Sequence, residues 1–240
     1  MTPVTNRTPR TPRRTDGLSK ELIVRAATDI LDTEGENALT FRVLTARLNT
    51  GYGAIYHHVA NKSDLLASAT EEVIAGVMAG AVIDAEPRAA LRTVALGLFD
   101  AIDAHPWVGA HLSREPWRPA LLEIYESIGS LLDALGVPEQ ALFDAAGALV
   151  NYVLGVAGQN AANARVLTDG DTDRSAFLDS IAAQWSNLDP DRYPFLNKAA
   201  THLREHDDRE QFLAGVDIFL AGIAALRQPA PAPATGGDRR

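Results

Sequence analysis

The stretch whose reading decides the fold runs from Leu39 to Leu66, LTFRVLTARLNTGYGAIYHHVANKSDLL. Apolar Phe41, Val43, Leu44 and Leu48 give a first short helix a buried side. Asn49-Thr50-Gly51 interrupts it with residues that tolerate left-handed backbone or cap a new helix. A second short helix is predicted to begin at Gly51. Ile55 and Val59 lie four apart and face inward together, which turns Tyr52, Gly53, Ala54, Tyr56, His57 and His58 largely outward. This pattern is a helix-turn-helix, in which the N-terminal part of the second helix enters the DNA major groove while the first lies across the backbone.

Working outward, Leu22, Ile23, Ala26, Ala27, Ile30 and Leu31 repeat at helical spacing behind Ser19, and Gly35 stops that helix. A longer helix is predicted from Ser63-Asp64 to about Gly80. Beyond it the periods are helical and no segment alternates as a strand would. Pro87, Pro106, Pro119 and Pro138 stand where helices start, and Gly136 and Gly170 near helix ends. Helices are predicted near 87–104, 106–113, 119–135, 138–165, 174–188, 194–204 and 209–227. The fold class is all-α: an N-terminal three-helix helix-turn-helix domain at 18–65 and a helical body at 66–227. Residues 1–17, rich in Pro, Thr and Arg, and 228–240, with Pro229, Pro231 and Pro233, are expected to be a disordered basic arm and a disordered tail.

Composition narrows the class. With 46% apolar residues a 240-residue chain buries a sizeable core. It has no cysteine, so disulfides and thiolate metal sites are excluded, in keeping with a reducing cytoplasm. No uninterrupted apolar run reaches the roughly 20 residues of a membrane span, and the arginines of the arm have no apolar stretch behind them, unlike a secretory signal. A cytoplasmic protein without a membrane partner is expected. The net charge of −9 argues at first against nucleic acid, but its distribution reverses that: residues 1–65 carry +2 and the remainder −11. A local positive footprint suffices to bind phosphates.

Thr40-Phe41-Arg42, Leu48, Ile55-Tyr56-x-His58-Val59-x-Asn61-Lys62 and Leu65-Leu66 resemble the reading head of the TetR family of transcriptional regulators. The family usually has Gly-Val in the turn where this chain has Asn49-Thr50, and an interior glycine loosens a reading helix by roughly 1 kcal/mol. The resemblance implies ligand-controlled DNA binding, with repression as the default output and no enzyme activity. Arg42 is the expected base contact, its guanidinium pairing with guanine O6 and N7. Tyr52, Ala54 and His57 are expected at base edges or thymine methyls, and Gly53 belongs to the same DNA-binding surface. Thr40, Tyr56, His58 and Lys62 are expected at phosphates, aided by the start of the helix after Asn61. Helices near 138–165 and 209–227 are apolar nearly all round; the resemblance makes them the interface of a homodimer that reads a palindromic operator. Effector binding would pivot the helix at 63–80 and change the spacing of the two heads.

AHPWVGAHLSREP (104–116), VLGVAGQ (153–159), YPFL (193–196) and the last helix resemble the tetracycline-repressor branch of that family. His111 falls where that branch places a magnesium-binding imidazole, yet Gln159 stands where it has a carboxylate, which implies a small organic effector held without metal or cofactor. Phe99, Ile102, His105, Trp107, His111, Trp117, Tyr125, Asn151, Tyr152, Gln159 and Trp185 supply the expected pocket lining, apolar walls with a few polar groups. His111, Asn151 and Gln159 stand out because polar groups on apolar helices need internal partners. A rival pattern, His202-x-x-Glu205-His206, has the spacing of a zinc hydrolase. Asp169-x-Asp171-x-Asp173 begins like a calcium loop but has Arg174 for the glycine and Ser180 for the bidentate glutamate.

Overall fold

A computed structural model describes residues 18–80, 86–169 and 173–226, and among them every regular element is a helix. In chain order these are α1 Lys20–Glu34, α2 Phe41–Arg47, α3 Tyr52–Tyr56, α4 Lys62–Gly80, α5 Pro87–Ala104 and α6 Pro106–Arg114. There follow α7 Pro119–Ala134, α8 Glu139–Asp169, α9 Arg174–Ser186, α10 Pro194–Leu203 and α11 Asp208–Leu226. The chain divides into two compact units between Leu65 and Leu66, early in α4. The arm, the tail and the middle of the Asp169–Asp173 loop lie outside the described residues.

Local chemistry accounts for the boundaries. Ser19 and Thr40 cap α1 and α2, accepting from the N–H groups of Leu22 and Val43 at 3.2 Å each. Helix α2 ends in a Schellman turn: Thr50 N–H donates to the Thr45 carbonyl at 3.0 Å and Asn49 N–H to that of Ala46 at 3.3 Å. Asn49 sits between them at φ 47°, the left-handed position usually given to glycine. Gly136, at φ 77°, closes α7 the same way, with Val137 N–H donating to the Leu132 carbonyl at 3.1 Å. Proline occupies the first turn of α5, α6, α7 and α10, where its missing N–H costs nothing.

In the first unit the apolar centre includes Ile23, Ala27, Ile30, Leu31, Leu39, Leu44, Ile55 and Val59. Leu44 is the one fully buried residue of α2, with Phe41, Val43 and Leu48 half-buried. Leu22, which fits the apolar period of α1, is 42% exposed instead, because the buried stripe of that helix lies on Ile23, Ala27 and Ile30.

The second unit is built around α8, which packs against α5, α6, α7 and α11. Two glycines set close approaches. A Cβ at Gly97 of α5 would meet Val77 Cγ1 of α4 at 2.9 Å, and one at Gly215 of α11 would overlap the Tyr152 hydroxyl. Ion pairs tie α11 to α5: Arg209 reaches Asp100 with two hydrogen bonds of 3.1 Å, and Asp217 meets Arg92. Helices α9 and α10 pack against each other as a pair.

By length and composition Glu139–Arg165 is apolar enough to cross a membrane, although Asp144 and Asn151 interrupt its apolar runs, and only 28% of its most apolar window is buried. Much of the apolar surface of α8 is thus uncovered in a single chain.

Candidate nucleic-acid interface and effector cavity

Helix α3 is held by one buried side chain, Ile55, fully inaccessible, with Val59 just beyond it. This anchor leaves Tyr52, Gly53, Ala54, Tyr56 and His57 exposed and His58 half-buried, while Thr40 and Arg42 are exposed on the neighbouring α2. The nine residues expected to meet DNA therefore belong to one segment of the first unit, α2 through the start of α4. Tyr56 packs its ring edge-on against Phe41, centroids 4.8 Å apart, and keeps half its surface outside. His57 and His58 meet edge to face at 5.3 Å.

The cations of this unit are not equivalent. Arg47 pairs with Glu34 at 3.4 Å. Lys62 is half-buried, and its ammonium donates to the Glu36 carbonyl at 2.6 Å, fastening the start of α4 to the turn after α1. Arg42 stands exposed on α2, and no ion pair holds it among the described residues. The start of α4 is occupied internally: Asn61 Oδ1 accepts from the Asp64 N–H at 2.9 Å and its amide donates to the Asp64 carboxylate at 3.0 Å. That reciprocal cap places a carboxylate in the first turn, so this helix start is a poorer phosphate site than its position suggested. On α1, hydrogen bonds to its own backbone and to Ser19 hold the Glu21 carboxyl below its ordinary value, and His58 adds to this.

In the second unit, a cavity of about 400 Å³ lies between α6, α7 and α8, lined by Leu112, Ser113, Pro116, Leu121, Tyr125, Val150, Asn151, Leu154 and Gly155. It brings together Tyr125 and Asn151 of the expected pocket residues and adds Ser113, whose hydroxyl donates to the Gly109 carbonyl at 2.9 Å. The others do not line it. Phe99, Ile102 and Trp107 are core residues, Phe99 stacking on Phe212 at 4.7 Å. Tyr152 lies between Phe212 and Phe219, its hydroxyl donating to the Phe212 carbonyl at 3.0 Å, and burial raises its pKa above the ordinary tyrosine value.

His111 is buried on α6, and His105, half-buried, faces Trp107 at 6.0 Å. Trp117 is 69% exposed and Trp185 sits half-buried on α9. Asn151 and Gln159 are exposed, which overturns the expectation that they need internal partners: the sides of α8 that carry them are not covered by the same chain. The presence of Ser113 was not visible in the sequence, because nothing local marks which turn of a helix borders a void.

The zinc pattern does not survive the fold. Helix α10 ends at Leu203, so Glu205 and His206 leave the helical register that would set the two imidazoles side by side. His206 instead faces Asp208 at 3.0 Å. Among the described residues no group of three or more His, Asp or Glu could hold a metal ion. Asp173, the described end of the calcium-like loop, caps α9 by accepting from the Ala176 N–H at 3.0 Å.

A second hollow, about 570 Å³, opens between α8 and α11 and is lined by Ala141, Asp144, Ala145, Ala148, Ile218, Phe219, Gly222 and Ile223. Of its lining residues Ile218 is 73% exposed; Phe143, on another side of α8, is 79% exposed.

Residues 84–227 match the profile of the tetracycline-repressor-like C-terminal domain. A TetR transcriptional regulator of Streptomyces coelicolor, SCO7222, is 47% identical, with a TM-score of 0.81 covering 88% of this chain and 100% of that one. The HTH-type transcriptional repressor DrrR1 of Streptomyces coeruleorubidus is 30% identical over 218 residues, 87% of this chain and 78% of its own length. The same fold, at 23% identity and a TM-score of 0.70, is found in ActR of Streptomyces coelicolor, solved in complex with actinorhodin, with 88% and 99% of the chains covered.

Proposed function

From the premise that this chain belongs to the TetR family of transcriptional regulators, we propose that it is a homodimeric repressor which binds a palindromic operator and is released by a small organic effector. The observation that carries the DNA-binding half is the surface around Ile55. One buried residue fixes a short helix, and Arg42, Tyr52, Tyr56 and His57 stand exposed about it, with Arg42 held by no ion pair among the described residues. Arg42 reads a base; Tyr52, Gly53, Ala54 and His57 meet base edges; Thr40, Tyr56, His58 and Lys62 meet the backbone. Lys62 does so with donors left over from its bond to Glu36, since an ammonium has three.

The effector occupies the cavity between α6, α7 and α8. Its lining mixes the apolar side chains of Leu112, Pro116, Leu121, Val150 and Leu154 with uncharged polar groups of Ser113, Tyr125 and Asn151, which suits a neutral organic molecule with hydrogen-bonding oxygens and no metal. Release requires the effector to prefer the conformation in which the heads no longer fit adjacent half-sites. Helix α4, which begins in the reading unit and continues into the body, carries that change. The DrrR1 repressor and the actinorhodin complex of ActR support this assignment by kinship and by fold, respectively.

The exposed face of α8 and α11 is covered by the same face of a second copy, a two-fold arrangement in which Ala148 and Ile218 lose their contact with water. That accounts for an apolar helix face without recourse to lipid, and a cytoplasmic location follows.

Selection from a random-sequence duplex library at near-physiological salt tests the whole assignment. Enrichment of a two-fold symmetric site is the expected result; recovery of unenriched sequence by folded protein would overturn it.

A further inference from the structure

Helix α3 holds two glycines in a region of seven residues, Gly51 as its N-cap and Gly53 in its first turn. Neither is required by the chain itself. Both have φ outside the left-handed region, and a Cβ at either position would meet nothing within 4 Å. Gly51 makes no side-chain cap bond, whereas α1, α2, α5 and α9 are capped by Ser19, Thr40, Glu86 and Asp173.

In a five-residue helix an interior glycine is a marked weakness, because glycine is the least favourable residue after proline and there are few other residues to offset it. Gly97 and Gly215 are different: the side chains of Val77 and Tyr152 fill the space a Cβ would need. Among the open helical glycines of the body, Gly155, Gly158 and Gly222 border hollows, whereas Gly76, Gly80, Gly129 and Gly147 are simply unobstructed, so that an open Cβ position alone marks no site. Gly53 is exposed beside Tyr52 and Ala54 on α3, the helix proposed above to read DNA.

We propose that Gly53 is a depth stop for operator reading: its bare Cα lets α3 seat against the floor of the major groove, and a methyl group there would hold the helix off the base edges. This rests on the DNA-binding function proposed above and adds to it which residue sets the approach distance. Close backbone approach is a use to which glycine is suited, and its stability cost is then borne for binding. Reading by Arg42 and Tyr52 depends on that seating. Binding to random duplex, which is carried by the phosphates, does not.

The test compares Gly53→Ala with Gly129→Ala, the latter a glycine of α7 whose Cβ is equally unobstructed. Both variants are measured by thermal unfolding and by binding to the operator recovered with wild-type protein and to a random duplex of equal length. The expected result is an unfolding midpoint at or above wild type for both. Operator affinity falls about tenfold or more for Gly53→Ala alone, with random-duplex affinity within about twofold of wild type, the loss corresponding to about 1.4 kcal/mol. Unchanged operator affinity in a folded Gly53→Ala protein would overturn the depth stop, as would an equal loss on both duplexes. A lowered midpoint would overturn it too, by showing that the fold of the head needs the glycine. Absence of sequence preference in the wild-type protein would instead remove the DNA-reading function itself.

Discussion

The reading unit and the body present opposite surfaces to their surroundings. Around α2 and α3 the exposed groups are a guanidinium, phenols and imidazoles set about a single buried isoleucine, whereas along α8 and α11 they are Phe143, Ile218 and a row of alanines and glycines. The first suits a charged partner approached through water. The second suits an apolar one from which water is expelled. Small residues recur in both, and their surroundings differ: a Cβ at Gly53 would meet open space, while Gly215 makes room for Tyr152 of the same chain.

The contrast is broken most sharply at the apolar face. The double variant Ala148→Asp and Ile218→Asp is expected to be monomeric by sedimentation and to lose operator affinity by about 100-fold or more, because linking two half-site contacts raises avidity by that order. A dimer that persists would mean that the uncovered face of α8 has another occupant. Next in size, Arg42→Ala is expected to cost about 1–3 kcal/mol at one base pair of each half-site while leaving random-duplex binding nearly intact. Competition between operators mutated at single positions checks this.

Smaller effects sharpen the distinction between surface and interior. Lys62→Ala is expected to weaken operator and random DNA alike and to lower the salt slope by about one per subunit. It is also expected to lower stability by about 1–2 kcal/mol, since it removes the bond to the Glu36 carbonyl. An effect on DNA with no change in unfolding would assign it to phosphate alone. Tyr152→Phe is expected to cost about 1 kcal/mol in denaturant unfolding through loss of the bond to Phe212, with operator affinity unchanged.

The smallest effect belongs to Asp217. Its hydrogen bond to Arg92 holds the carboxyl below its ordinary value, so the pair contributes stability that is present above the unfolded carboxylate range, near 4, and is lost as pH falls through the folded value. Being exposed, the pair contributes little. Asp217→Asn should slightly flatten the acid limb of the stability profile and leave the neutral region alone.

Legibility follows the same division. The turn at Asn49, the helix start behind Ser19 and the inward pair Ile55 and Val59 could be read because each is a local rule involving residues a few positions apart. The proline starts of α5, α6 and α7 and the glycine stop of α7 were readable for the same reason. Pocket lining was not. Phe99, Ile102 and Trp107 have the residue types of a cavity wall and lie in packed core, and Trp117, of the same type, lies in solvent. Residue type cannot tell these three environments apart.

Sequence alone determined the helical class, the helix boundaries to within a few residues, the reading head and its outward residues, because periodicity, caps and turns are short-range and additive. Only the tertiary structure decided that Lys62 is tied to Glu36 and that the cavity joins Ser113, Tyr125 and Asn151. These depend on how three or four helices cross, and the crossing geometry is set by the packing of side chains distant in sequence.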